Sequence, residues 1–165
     1  MKIYVRAMSL PRKRALIQAG SYAETIIYHI IKILAYHEIR ENDVNHWIDE
    51  IADCLYEVDQ ITIKPKNNKL KEDDLMDTTF SAMGDDLMDY QRELRIFLMN
   101  NRKGYFNYGD KESYPDFEIT HDLKSELMDC CLNIIDTTIP MLIDKQDHSK
   151  EEYKTVLADI FKNYI

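Results

Sequence analysis

The chain is predicted to be mainly α-helical, a single domain of about five helices, and three observations predict it. Apolar residues recur at i, i+3, i+4 and i+7 over long windows, which is the helical period and not the strict alternation of a half-buried strand. Only four Gly and four Pro occur among 165 residues, few for a β-sandwich built on many tight turns. With 45% hydrophobic and 31% charged residues the composition is that of a globular protein, and this length supports a core without disulfides or metal.

Residues 1–20 hold five basic residues, Lys2, Arg6, Arg12, Lys13 and Arg14, and no acid. They read as a basic N-terminal arm, with "KIYV" as an edge strand or part of that arm and Pro11 placed near a helix start. From about Ser21 the helical stripe begins with Ala23, Ile26, Ile27, Ile30, Ile31, Leu34 and Ala35. "HEIREND" interrupts it, and Asn42 or Asp43 offers an N-cap for the next helix.

That second helix carries "ENDVNHWIDEIADCLYEVD", with seven carboxylates and no Lys or Arg. At about 100° per residue, Val44, Trp47, Ile48, Ile51, Ala52, Leu55 and Val58 share one arc. Asp43, Asp49, Glu50, Asp53 and Glu57 share another, with His46 among them. The apolar arc has to pack, through a short connection, against the helix before it. The acidic arc faces outward or faces a partner.

Residues 62–71 read as a lysine-rich loop, and a third helix is expected from about Glu72 to Asn100, acidic through Glu72, Asp73, Asp74, Asp77, Asp85, Asp86 and Asp89. Gly84 is its weak point. Residues 101–118 are aromatic and turn-rich, expected as a packed β-hairpin or ordered loop around Tyr105, Phe106, Tyr108, Tyr114 and Phe117. Thr120 can cap a fourth helix with Leu123, Leu127, Cys131, Ile134 and Ile135 as its stripe, and Pro140 is expected to end or kink it. Ser149 and Glu152 have the spacing of a capping box, opening a last helix whose face is Tyr153, Val156, Leu157, Ile160 and Phe161.

The net charge of −9 argues against direct coating of nucleic acid, which needs surplus Lys and Arg. It suits solubility, and it suits attraction to a basic partner. Cys54, Cys130 and Cys131 make an odd count without CxxC spacing, so a reducing, cytoplasmic setting is expected. No stretch has the apolar length of a membrane span, and the N-terminus lacks the apolar run of a signal peptide.

Among chemical constellations, His46 and Glu50 lie one turn apart with Asp49 and Asp53 nearby, and His37 and Glu38 lie upstream. Such ligands can hold a divalent ion, but a solvated amphipathic face explains the same residues without further assumptions, and no metal or cofactor is expected. No GxSxG, P-loop or GxGxxG occurs. "RENDVNH" places Arg40 and His46 in R-x5-H spacing, which resembles the motif of the helical nucleotide-binding nucleases called HEPN. That resemblance implies a ribonuclease, with His46 in acid–base chemistry and Arg40 on phosphate, typically across a homodimer.

"MKIYVRAMS" and the acidic helical body resemble small accessory proteins of Gram-positive phages, plasmids and conjugative elements. "YHIIKILAYHEIRENDVNHWIDEI" is similar to a bacterial helical family with a His-x-x-Lys helix followed by a Trp-x-x-Glu-Ile helix. Mobile-element proteins of this size include inhibitors of host defence, anti-CRISPR proteins among them. The expectation is therefore a non-enzymatic inhibitor that binds a basic surface of a nucleic-acid-handling protein, such as a CRISPR effector. The contact residues expected are Asp49, Glu50, Asp53 and Glu57, then Asp74, Asp77, Asp85 and Asp89. The alternatives are the ribonuclease and a structural or regulatory homo-oligomer.

Overall fold

A computed structural model of the chain describes residues 10–38, 40–62, 70–76, 121–144 and 146–165. Among the described residues, four helices carry the fold: α1 (Leu10–Tyr36), α2 (Glu41–Ile61), α3 (His121–Ile143) and α4 (Lys150–Phe161). Residues 72–76 form a further helical segment. The architecture is mainly helical, and among the described residues there is no strand. The hairpin or loop expected over residues 101–118 and most of the third expected helix lie outside the described residues.

Helix α1 is longer than its stripe suggested. Its 27 residues begin at Leu10, so residues 10–20 are helix and not an arm. Pro11 fits there because the first turn has no intrahelical acceptor for its missing N–H. Ala15 and Ala19 are buried, and Arg12 reaches Asp74 through Nη2 at 2.6 Å and Nε at 3.1 Å. Farther along, Ile27 and residues 29–34 are all buried, and so is Tyr36. This half of α1 is covered on nearly every side.

The α1–α2 connection is short, closed by backbone bonds from His37 N to Ile33 O at 3.0 Å and from Arg40 N to Tyr36 O at 2.8 Å. The two helices pack together as a hairpin. The cap differs from expectation: Arg40 holds the N-cap position, and no side chain caps the helix. Asp43 is occupied otherwise, accepting from Arg40 Nε at 2.7 Å. All seven residues of the expected apolar arc, Val44 through Val58, are buried.

Helix α3 runs through Pro140 to Ile143, so the proline does not end it. Pro140 is exposed, and its own carbonyl still accepts from Asp144 N at 3.1 Å. The backbone donor it lacks is one bond in a helix whose opposite face, with Leu127, Cys131, Ile134, Ile135, Ile139 and Leu142, is packed in the core. Thr138, also buried, returns its hydroxyl to Ile134 O at 2.6 Å. The expected capping box opens α4: Ser149 Oγ accepts from Glu152 N at 3.2 Å, and the Glu152 side chain accepts from Ser149 N. Tyr153, Leu157 and Phe161 of α4 are fully buried, each contributing about 1.5–3 kcal/mol by removing apolar surface from water. Helix α4 packs chiefly on α2 and also on α3, while α3 packs on α1.

Candidate functional site

The outer face of α2 carries a row of carboxylates. With its apolar arc buried, the helix turns Asp49, Glu50, Asp53 and Glu57 away from the core. Glu57 is exposed and the Glu50 side chain is 40% exposed. His46, 68% exposed, approaches Glu50 at 3.7 Å. The carboxylates do not stand alone, because α4 lies alongside. Lys154 Nζ meets Asp49 Oδ1 at 2.8 Å, and Lys150 Nζ meets Asp53 Oδ1. Residues four apart on each helix thus pair as a two-rung ladder. The hydrogen bonds to Asp53 and Asp49 hold Lys150 and Lys154 above the ordinary lysine range. Both rungs are half-exposed, where such pairs contribute little and are screened by salt.

Of the second expected set, Asp74 is the member that lies among the described residues. Asp74 is 5% exposed and clamped by Arg12, and it also accepts from Lys71 N at 3.1 Å. Its carboxylate is an anchor between α1 and the 72–76 segment and is not presented to a partner. The basic segment supplies the cation, so the charges are satisfied internally. Asp77, Asp85 and Asp89 lie outside the described residues. Arg40 and His46 are both described: the Arg40 guanidinium is engaged by Asp43 at the start of α2, and His46 lies near the middle of the acidic arc.

A second cluster is marked in the sequence by the His-x-x-Lys and Trp-x-x-Glu-Ile resemblance, with no role assigned to its residues. Lys32, 2% exposed, lies in the apolar half of α1 with its Nζ 4.1 Å from the centre of the Tyr28 ring and 5.9 Å from that of Trp47. Burial lowers the amine from 10.5 to about 7, against the opposing pull of Glu50. Neighbouring His29 is buried and lies 2.8 Å through Nδ1 from Thr25 O. Burial lowers it from 6.5 to about 4, the Thr25 bond opposing and the Lys32 charge adding to the shift. Thus the His-x-x-Lys and Trp-x-x-Glu elements of the two helices meet in space. A further signal is the single lysine within the apolar run "IYHIIKILAY".

Deeper still, the Tyr153 hydroxyl donates to Asp59, a fully buried carboxylate on α2. Burial, then that bond, pushes the phenol well above its usual range. All three cysteines are buried in the core. Burial raises Cys54 and Cys131 to about 12 and raises Cys130 as well, so none is a ready thiolate. Among the described residues no group of three or more His, Cys, Asp or Glu is placed to hold a metal ion, and no helix is long and apolar enough to cross a membrane.

Fold and surface together define a helical bundle with one acidic helix face. No protein-family model matches the chain, and no curated protein or solved structure matches it.

Proposed function

We propose that the chain is a non-enzymatic interaction protein that sets the outer face of α2 against a basic surface of a nucleic-acid-handling protein and blocks it. The carrying observation is the row Asp49, Glu50, Asp53 and Glu57, fixed along one face of a helix whose other face is buried. A basic groove that attracts a phosphate backbone attracts fixed carboxylates by the same Coulomb forces. The lysines of α4 neutralise half of this row, which leaves Glu50 and Glu57 as the principal contacts, with one oxygen of each aspartate engaged and the other open to a partner. The resemblance of the chain to mobile-element accessory proteins makes an anti-CRISPR or related anti-defence inhibitor the concrete form.

The test is binding to purified RNA-guided nucleases, and inhibition of their cleavage, at low and high salt. Binding that weakens steeply with salt, and at least about tenfold in a Glu50→Lys, Glu57→Lys double variant, supports the proposal. Absence of binding, or affinity untouched by the double reversal, rejects it. RNA cleavage by the purified protein that vanishes in His46→Ala would select the ribonuclease instead.

A further inference from the structure

His148 occupies the connection between α3 and α4, four residues after Asp144 and four before Glu152, with its side chain 11% exposed. Its Nε2 lies 2.5 Å from Asp144 Oδ2 and its Nδ1 2.7 Å from Glu152 Oε2. A neutral imidazole has one N–H and one lone pair, whereas a carboxylate offers only lone pairs. A neutral ring therefore makes one of these contacts and opposes lone pair to lone pair in the other. One added proton satisfies both at once, as an imidazolium donating at each nitrogen.

The charged surroundings come from three helices. Asp144 closes α3, Asp147 lies in the connection, and Glu151 and Glu152 open α4. The Tyr153 ring stands edge-on to His148 with centroids 6.0 Å apart, and behind it is the buried Asp59 of α2. Lys150 is turned to Asp53. The bond to His148 is also the first cause holding the Glu152 carboxyl below its usual range.

We propose that the α3–α4 junction is a proton-dependent clasp. With the proton present, the His148 ring ties Asp144 to Glu152 and closes the connection onto the first turn of α4. When the proton leaves to solvent, one of the two bonds is lost and that turn loosens. The same turn begins with Lys150 and is followed by Lys154, so the clasp sets how firmly the α4 lysines lie on the α2 carboxylates.

Nitrogen-15 NMR of the full chain tests this directly. Closed, both ring nitrogens of His148 show the shifts of protonated N–H groups. As pH is raised, the ring and the backbone amides of residues 149–153 move with a common midpoint. Amide exchange in that turn then accelerates on the order of tenfold beyond the ordinary base-catalysed rise, the effect of losing one charge-assisted bond. In Asp144→Asn the amides cease to follow the ring. A neutral ring in the closed junction, or amides of 149–153 indifferent to the ring's titration, overturns the proposal. The wild-type titration decides the matter even if the variant does not fold.

Discussion

Replacing Lys32 with Met should make the protein more stable at neutral pH, although it removes a charge that touches two aromatic rings. In the unfolded chain the amine titrates at its ordinary 10.5, and in the folded chain at about 7. Between these values the folded state holds fewer protons than the unfolded state, so stability rises with pH. The contribution is fully present above 10.5 and is lost as pH falls through 7. The full difference is on the order of 5 kcal/mol at the usual conversion of a pKa gap, of which about 2 kcal/mol falls between pH 7 and 9. Contact with Tyr28 at 4.1 Å opposes the substitution by about 1 kcal/mol. Methionine keeps an unbranched apolar chain in the site, and replacing a buried charge by an apolar group of similar volume typically stabilises by about 1–4 kcal/mol.

The pH window matters because other groups act outside it. His29, lowered from 6.5 to about 4, contributes stability that is present above 6.5 and lost as pH falls through 4. Cys54 and Cys131, raised from 9 to about 12, contribute stability that is present below 9 and lost as pH rises through 12. Between pH 7 and 9 the lysine is the principal contributor among these. Urea unfolding followed by the fluorescence of Trp47, the single tryptophan, measures both proteins at the two pH values. The wild type should gain about 2 kcal/mol from pH 7 to 9. Lys32→Met should lose that gain and exceed the wild type at pH 7. A variant less stable than the wild type at pH 7, with neither protein responding to pH, would refute the reasoning. It would mean that the folded protein holds Lys32 charged without penalty.

Two further perturbations probe the buried polar contacts. Tyr153→Phe removes the hydroxyl that donates to Asp59 and should destabilise by about 1–3 kcal/mol in the same urea assay, since the carboxylate stays buried. Asp74→Ala removes the carboxylate held by Arg12 and should destabilise by about 2 kcal/mol while leaving affinity for a basic partner unchanged, as read by unfolding and binding measurements side by side.

The apolar stripes were legible because packing enforces period. Every apolar residue of the α2 arc is buried, and the Ser149–Glu152 box forms because both partners lie within one turn of each other. Local rules failed where a distant or competing partner intervened. Asp43 has the chemistry of a cap, but the guanidinium of Arg40 takes its carboxylate. Pro140 has the chemistry of a stop, but the core contacts of α3 outweigh one missing bond. Arg12 reads as part of a basic arm until Asp74, 62 residues away, is seen to meet it. The α2 face was visible as a row of carboxylates, whereas Lys150 and Lys154 belong to a helix about 100 residues later. No periodicity in either segment encodes their pairing, because it follows from tertiary packing alone.

That pairing changes how the acidic face must be dissected. Reversing Asp49 or Asp53 alters two things at once, the charge offered to a partner and the contact between α2 and α4. Loss of binding in such variants would not distinguish a broken docking surface from a displaced helix. Glu50 and Glu57 sit on the same face without an ion pair to α4, so their reversal leaves the α2–α4 ladder in place, with the loss of the pull of Glu50 on Lys32 as its one interior effect. Neutralising Lys150 and Lys154 perturbs the ladder in the opposite sense, adding net negative charge while releasing the helix. A docking surface governed by charge predicts opposite changes in affinity for the two kinds of variant, weaker for the glutamate reversals and stronger for the lysine neutralisations. A surface governed by the position of α4 predicts weakening in the lysine variants alone.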